Sequence, residues 1–137
     1  MSNSNIRKRV FNYFQMAALT ATKRDDERSF LLGAVGIRYD GVLVKSVNAS
    51  SFHPVRTGHA EARLCKKLDV GSVVYVVRVK LLDGSLAITR PCKACQKILR
   101  STGVSKVYYS ISNSEYGVMT FNGNASTRYV DDYLPNS

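Results

Sequence analysis

Gly58-His59-Ala60-Glu61-Ala62-Arg63-Leu64-Cys65-Lys66-Lys67-Leu68, taken with Pro91-Cys92-Lys93-Ala94-Cys95, decides how this 137-residue chain is read. One imidazole and two thiols form a borderline-to-soft donor set of the kind that zinc takes. Three protein ligands leave the fourth tetrahedral position open, which distinguishes a catalytic zinc site from a closed structural one. Residues i and i+2 of a helix point about 200° apart, so His59 and Glu61 serve one site only where a helix begins, its first turn facing the pocket. The residues after Gly58 are strong helix formers, and Leu64 and Leu68, four apart, hold that helix on a core. Proline suits a first helical position, and Cys92 and Cys95, three apart, then share one helical face. The unpaired amides and positive dipole end of that turn favour thiolate. The expected metal ligands are therefore His59, Cys92 and Cys95, with Glu61 as the proton carrier.

Outward from these motifs, the pattern alternates helices with strands. Apolar residues Val10, Phe11, Phe14, Ala17, Ala18 and Ala21 recur at helical spacing and predict an amphipathic helix over 6–22. Phe30 to Ile37 reads as a buried strand, Asp40-Gly41 as a hairpin turn and Val42 to Val47 as the returning strand. Ser72 to Leu82 is a Val- and Tyr-rich strand, with a second turn at Asp83-Gly84 and a short run over 85–89 that delivers the chain to Pro91. A helix over 92–102 ends near Gly103; strands follow over 106–112 and 116–121. Residues 122–137 read as a polar tail. The whole is expected to be one domain, 1–137, with its core over about 6–121.

This order of elements, with H-x-E followed by P-C-x-x-C, resembles the cytidine deaminase superfamily of zinc-dependent nucleobase deaminases. The resemblance implies a single α/β domain with a mixed five-stranded sheet, flanking helices, and both metal-bearing helices on one side. It also implies that His59, Cys92 and Cys95 bind Zn2+ and that Glu61 shuttles protons. Asn48 resembles the asparagine many members use to contact the nucleoside. Only 113–115 separate the last two strands, too short for a crossover helix, so those strands are expected to be antiparallel. That is closer to the cytidine deaminases and DNA-deaminating toxins than to the tRNA-adenosine or deoxycytidylate branches. Thr89-Arg90 before Pro91 departs from the Ser, Thr or Glu usual there; Arg90 is read as a phosphate contact or a solvent-facing residue.

Charge narrows the substrate class. Lys and Arg number 20 against 10 Asp and Glu, a net +10. Between Val42 and Ser110 stand twelve of the basic residues and three acids, one of them Glu61. A field of that sign concentrates phosphate-bearing substrates. Phe52 and His53, in the loop before His59, are candidates to stack on a base, and Tyr116, with Tyr108 and Tyr109, is placed around the loop following the fourth strand. Tyr108 and Tyr109 alternate, so at least one belongs in the core. The first reading is hydrolysis of cytosine to uracil in DNA. The alternatives are deamination of free cytidine, deoxycytidine or their phosphates, and a catalytically silent nucleic-acid-binding module. DNA against RNA, and cytosine against adenine, stay open. No apolar run reaches membrane-spanning length, and three cysteines, two of them in C-x-x-C, argue against a secreted disulfide framework. The chain reads as soluble and intracellular.

Overall fold

A computed structural model of the chain describes residues 3–22, 30–47, 64, 67–80, 82–89, 93–121 and 127–132. Its elements are α1 (Asn3–Thr22), β1 (Phe30–Ile37), β2 (Leu43–Val47), β3 (Val73–Lys80), β4 (Leu86–Ala87), α2 (Lys93–Thr102), β5 (Lys106–Ser110), β6 (Tyr116–Phe121) and β7 (Thr127–Asp132). They form one mixed sheet of order β2-β1-β3-β5-β6-β7, with β4 pairing β3 beside that path. Only β3 and β5 run parallel, in register Val73↔Lys106 to Val76↔Tyr109. The β5 and β6 strands are antiparallel, as the short connection requires.

Period-two side chains give this sheet two dry faces. On one, Val10, Phe14 and Ala17 of α1 lie over Val35, Tyr75, Val77, Val79, Tyr108 and Tyr116. On the other, Leu64 and Leu99 cover Ala34, Val74, Val76, Val107, Tyr109 and Met119. Tyr75 and Tyr108 are cross-strand partners, stacked at 5.0 Å and 8°. Burial, and then the neighbouring Tyr108, push the Tyr75 phenol up to about 12.

Both Asx-Gly turns form as the sequence indicates. Gly41 and Gly84 have φ of 90° and 74°, the left-handed conformation that glycine adopts without a Cβ penalty. The Asp40 carboxylate accepts from the Val42 amide at 3.1 Å, and that of Asp83 from the Ser85 amide at 2.9 Å. Glycine has a different use in β1. A Cβ on Gly36 would come within 2.6 Å of Leu68 and 3.1 Å of Leu64, so this position lets the segment after the H-x-E motif settle on the sheet.

One expectation is corrected. The tail is not wholly without structure: Thr127–Asp132 forms β7 on β6, in register Tyr116↔Asp132 to Phe121↔Thr127. Its residues Thr-Arg-Tyr-Val-Asp-Asp lack clear apolar alternation, yet an edge strand needs only backbone pairing on one side. With β4 and β7 beside the five strands expected, the described sheet keeps the mixed α/β architecture that the sequence indicates. Among the described residues, no helix is long and apolar enough to cross a membrane.

Candidate active site

The parallel pair creates the site's frame, because β3 reaches β5 through α2. At its far end α2 is tied to the amino end of β3: the Gly71 amide donates to the Gly103 carbonyl at 2.8 Å, and Ser105 donates to the Ser72 carbonyl at 2.9 Å. At its near end the Thr89 amide donates to the carbonyl of Ser110, the last residue of β5, at 3.0 Å. The helix thus runs opposite to both strands and begins at their carboxyl edge, where open α/β sheets bind ligands.

That edge is split. Along β3, β5 is the partner as far as Val76, and β4 takes over at Arg78↔Ala87 and Val79↔Leu86. Ser110 sits in the fork, fully buried. Its hydroxyl donates to the Ala87 carbonyl at 2.7 Å and accepts from the Arg78 amide at 3.4 Å. On the outer side the Asn113 side-chain carbonyl accepts from the Leu86 amide at 2.7 Å. These bonds clamp the run-in to Arg90-Pro91-Cys92 against both parallel strands. The sequence reading missed Ser110 and Asn113; the only local signal was a hydroxyl closing the buried run Val107-Tyr108-Tyr109.

Cys95 lies in the first turns of α2, fully buried. It shares with Leu99, four residues on, the helix face turned to the sheet. Leu64, in helical conformation three residues after Glu61, is fully buried in the same cluster as Leu99. The two motif-bearing segments are therefore anchored on one face of the sheet. A buried thiol at a helix start suits a soft metal ion of the zinc type. His59, Glu61, Cys92, Asn48, Phe52, His53 and Arg90 lie outside the described residues. Among the described residues no three His, Cys, Asp or Glu side chains converge.

Tyr116 is placed differently from the sequence expectation. It is buried, 5% exposed, with its ring 5.8 Å from that of Phe11 and 6.0 Å from that of Tyr108. It belongs to the α1 face, across the sheet from Cys95, because the register Ser110↔Tyr116 fixes which side it takes. Tyr108 and Tyr109 are also buried; Tyr109 lies over Gly117, its cross-strand partner, where a Cβ would collide with the ring. The turn over 111–115 consequently carries no aromatic side chain.

The described acids nearest these turns are engaged locally. Asp83 accepts from the Ser85 hydroxyl at 2.6 Å, and Glu115 from the Ser112 hydroxyl at 3.0 Å. Hydrogen bonds from the Ser85 side chain and amide hold the Asp83 carboxyl below its ordinary value. At the opposite edge Asp69 lies 3.5 Å from Arg38, which also pairs with Asp40 at 3.4 Å.

Residues 8–111 match the family model described as the cytidine and deoxycytidylate deaminase zinc-binding region, a span that includes both motifs. No curated protein matches the chain.

Proposed function

Because the chain belongs to the cytidine and deoxycytidylate deaminase zinc-binding family, we propose that it is a zinc-dependent hydrolytic deaminase converting cytosine to uracil, with DNA as its substrate. The family match over both H-x-E and P-C-x-x-C carries the deaminase reading. The basic excess between Val42 and Ser110 supports a polyanionic substrate. The antiparallel β5–β6 pair agrees with the cytidine deaminase and DNA-deaminating toxin-like branch that the sequence resembles.

In this reading His59, Cys92 and Cys95 hold the zinc. Zinc held there would supply Lewis acidity that makes water a competent nucleophile near neutral pH, the position attacked being C4 of the base. Glu61 accepts the first proton given up by water and carries it to N3 of the ring, then takes the second proton, from the hydroxyl now on C4, and passes it to the departing amino group. Cytosine and water thus become uracil and ammonia. Asn48 contacts the sugar or the base, Arg90 holds a phosphate, and Phe52 and His53 stack on the base. A base in a polynucleotide must leave its stack to reach such a pocket, at a cost of about a few kcal/mol.

One observation favours a second reading, the deamination of free cytidine, deoxycytidine or their monophosphates. With Tyr108, Tyr109 and Tyr116 buried, the turn over 111–115 offers no ring to read a neighbouring nucleotide. A salt series separates the two readings, with uracil formation from single-stranded DNA and from cytidine measured in parallel. DNA conversion that falls steeply with salt, with cytidine left unconverted, supports the first reading. Conversion of cytidine alone, indifferent to salt, gives the second.

A further inference from the structure

Helix α1 carries Arg7, Lys8 and Arg9 and not one acid between Asn3 and Thr22. Its inner stripe is spent on the core, leaving Lys8, Arg9, Asn12 and Gln15 exposed on its flanks. Between this helix and the turns that follow β3 and β5 lies a cleft of about 620 Å³, whose wall includes Arg7, Lys8, Asn12, Gln15 and Asn113. A second hollow of about 340 Å³ adjoins it, lined by Lys8, Arg9, Asn12 and Tyr13 among others. Exposed Lys8 and Asn12, one helical turn apart, stand between the two hollows, which together give α1 one grooved basic face. None of their lining residues is acidic.

We propose that this groove holds the sugar-phosphate backbone of a single-stranded polynucleotide, a proposal that rests on the nucleic-acid reading of the function and names a surface for it. From Asn5 to Ala18 the helix rises about 20 Å, longer than one phosphate needs and suited to a chain of them. Lys8 and Arg9 supply exposed cations, and Asn12 and Gln15 supply amide donors. Asn113 turns its carbonyl oxygen to the Leu86 amide, leaving its amino group to donate. Arg7 is structural: it donates to the Ser114 carbonyl at 2.8 Å and lies 5.0 Å over the Phe11 ring, fixing the turn over 111–115 against the helix. Half-buried Phe11 and Tyr13 alternate with these polar groups, the mixture of cations and rings that single strands favour. Gly84 and Asn113, in the wall of the cleft, belong to the carboxyl edge of β3 and β5 from which Cys95 and α2 begin. A strand lying in the groove is thereby led to the edge that carries the proposed zinc site.

The test is fluorescence anisotropy of a labelled oligothymidylate, which contains no cytosine and so separates binding from turnover, titrated with the full zinc-loaded chain at several salt concentrations. The double charge reversal Lys8→Glu/Arg9→Glu should weaken binding about tenfold or more and flatten the slope of log affinity against log salt by about one to two. Lys45→Glu/Lys106→Glu makes the same change in net charge at exposed positions on β2 and β5 and should weaken binding far less. Equal losses in the two double variants would overturn the groove in favour of diffuse attraction. Undiminished binding by Lys8→Glu/Arg9→Glu would overturn it too while leaving the deaminase reading intact. Failure of the parent chain to bind any oligonucleotide, with cytidine still converted, would remove both the groove and the DNA substrate. Superimposable melting curves for the three proteins establish that folding is not what changed.

Discussion

The Ser110 hydroxyl donates to the Ala87 carbonyl at 2.7 Å, and through that bond the end of a parallel strand holds the segment that delivers Pro91 and Cys92. The two residues are 23 apart in sequence and meet only because β4 takes the place of β5 along β3. Ser110→Ala leaves the part-buried Ala87 carbonyl without that donor, which costs about 1 kcal/mol. Because the loss falls on the run-in to the two proposed cysteine ligands, zinc affinity should also fall, by about tenfold. Ser110→Thr should restore both. Thermal melts measure the first effect and competition with a chromophoric chelator the second; a lowered melting temperature with unchanged zinc affinity would make Ser110 structural only.

Glu61 is assigned proton transfer and no part in holding the metal. Glu61→Gln should therefore keep its zinc content and melting temperature while turnover falls by about 10²- to 10⁴-fold. Metal analysis beside steady-state rates checks this, and near-normal turnover would take Glu61 out of the proton path.

Zinc held by the proposed ligands His59, Cys92 and Cys95 would tie the start of α2 to the segment that leads into Leu64, so its removal should loosen the α2 face. Chelation is expected to lower the melting temperature, and Cys95→Ala to abolish stoichiometric zinc and the further effect of the chelator. Cobalt substitution gives an independent readout, since thiolate-to-metal charge-transfer absorption should appear in the parent protein and fade in Cys95→Ala. Full zinc content in that variant would place the metal elsewhere.

At the opposite edge of the sheet, the Tyr39 amide and then the Ser72 hydroxyl, with Arg38 nearby, hold the Asp69 carboxyl below its ordinary 3.8. A carboxyl whose folded pKa is lowered contributes stability above the unfolded value and loses it as pH falls through the folded one. Asp69→Asn should therefore melt below the parent at neutral pH, the gap closing as pH drops below 3.8. Melting curves across an acid series measure it, and a gap independent of pH would assign the loss to hydrogen-bond geometry rather than charge.

Much of this fold is legible locally. The apolar run of β1 and the Asx-Gly turns read directly, because strand period and left-handed turn chemistry are properties of neighbouring residues. The antiparallel β5–β6 pair follows from loop length alone. Tyr116 shows where such reading stops: alternation says that Tyr116 and Gly117 face opposite ways, but only pairing with Ser110 says which way is which. A two-residue strand such as β4 carries no periodicity, and the bond from Ser110 to Ala87 spans a distance that no window of sequence covers. The proposed site is written in the sequence as a set of residue types, His59, Glu61, Cys92 and Cys95, because metal ligation and helix capping both constrain spacing; of these the structure describes Cys95. Its clamp is not legible there, because the Ser110 and Asn113 side chains meet backbone groups 23 and 27 residues away, and those partners carry no residue-type signal.

The most direct test of the central claim is the intact mass of a single-stranded DNA oligonucleotide carrying one cytosine, after incubation with the zinc-loaded protein and, in parallel, with Glu61→Gln. The account predicts replacement of the amino group by oxygen at that cytosine with the parent protein and an unchanged oligonucleotide with the variant. An unchanged oligonucleotide with both proteins would contradict it.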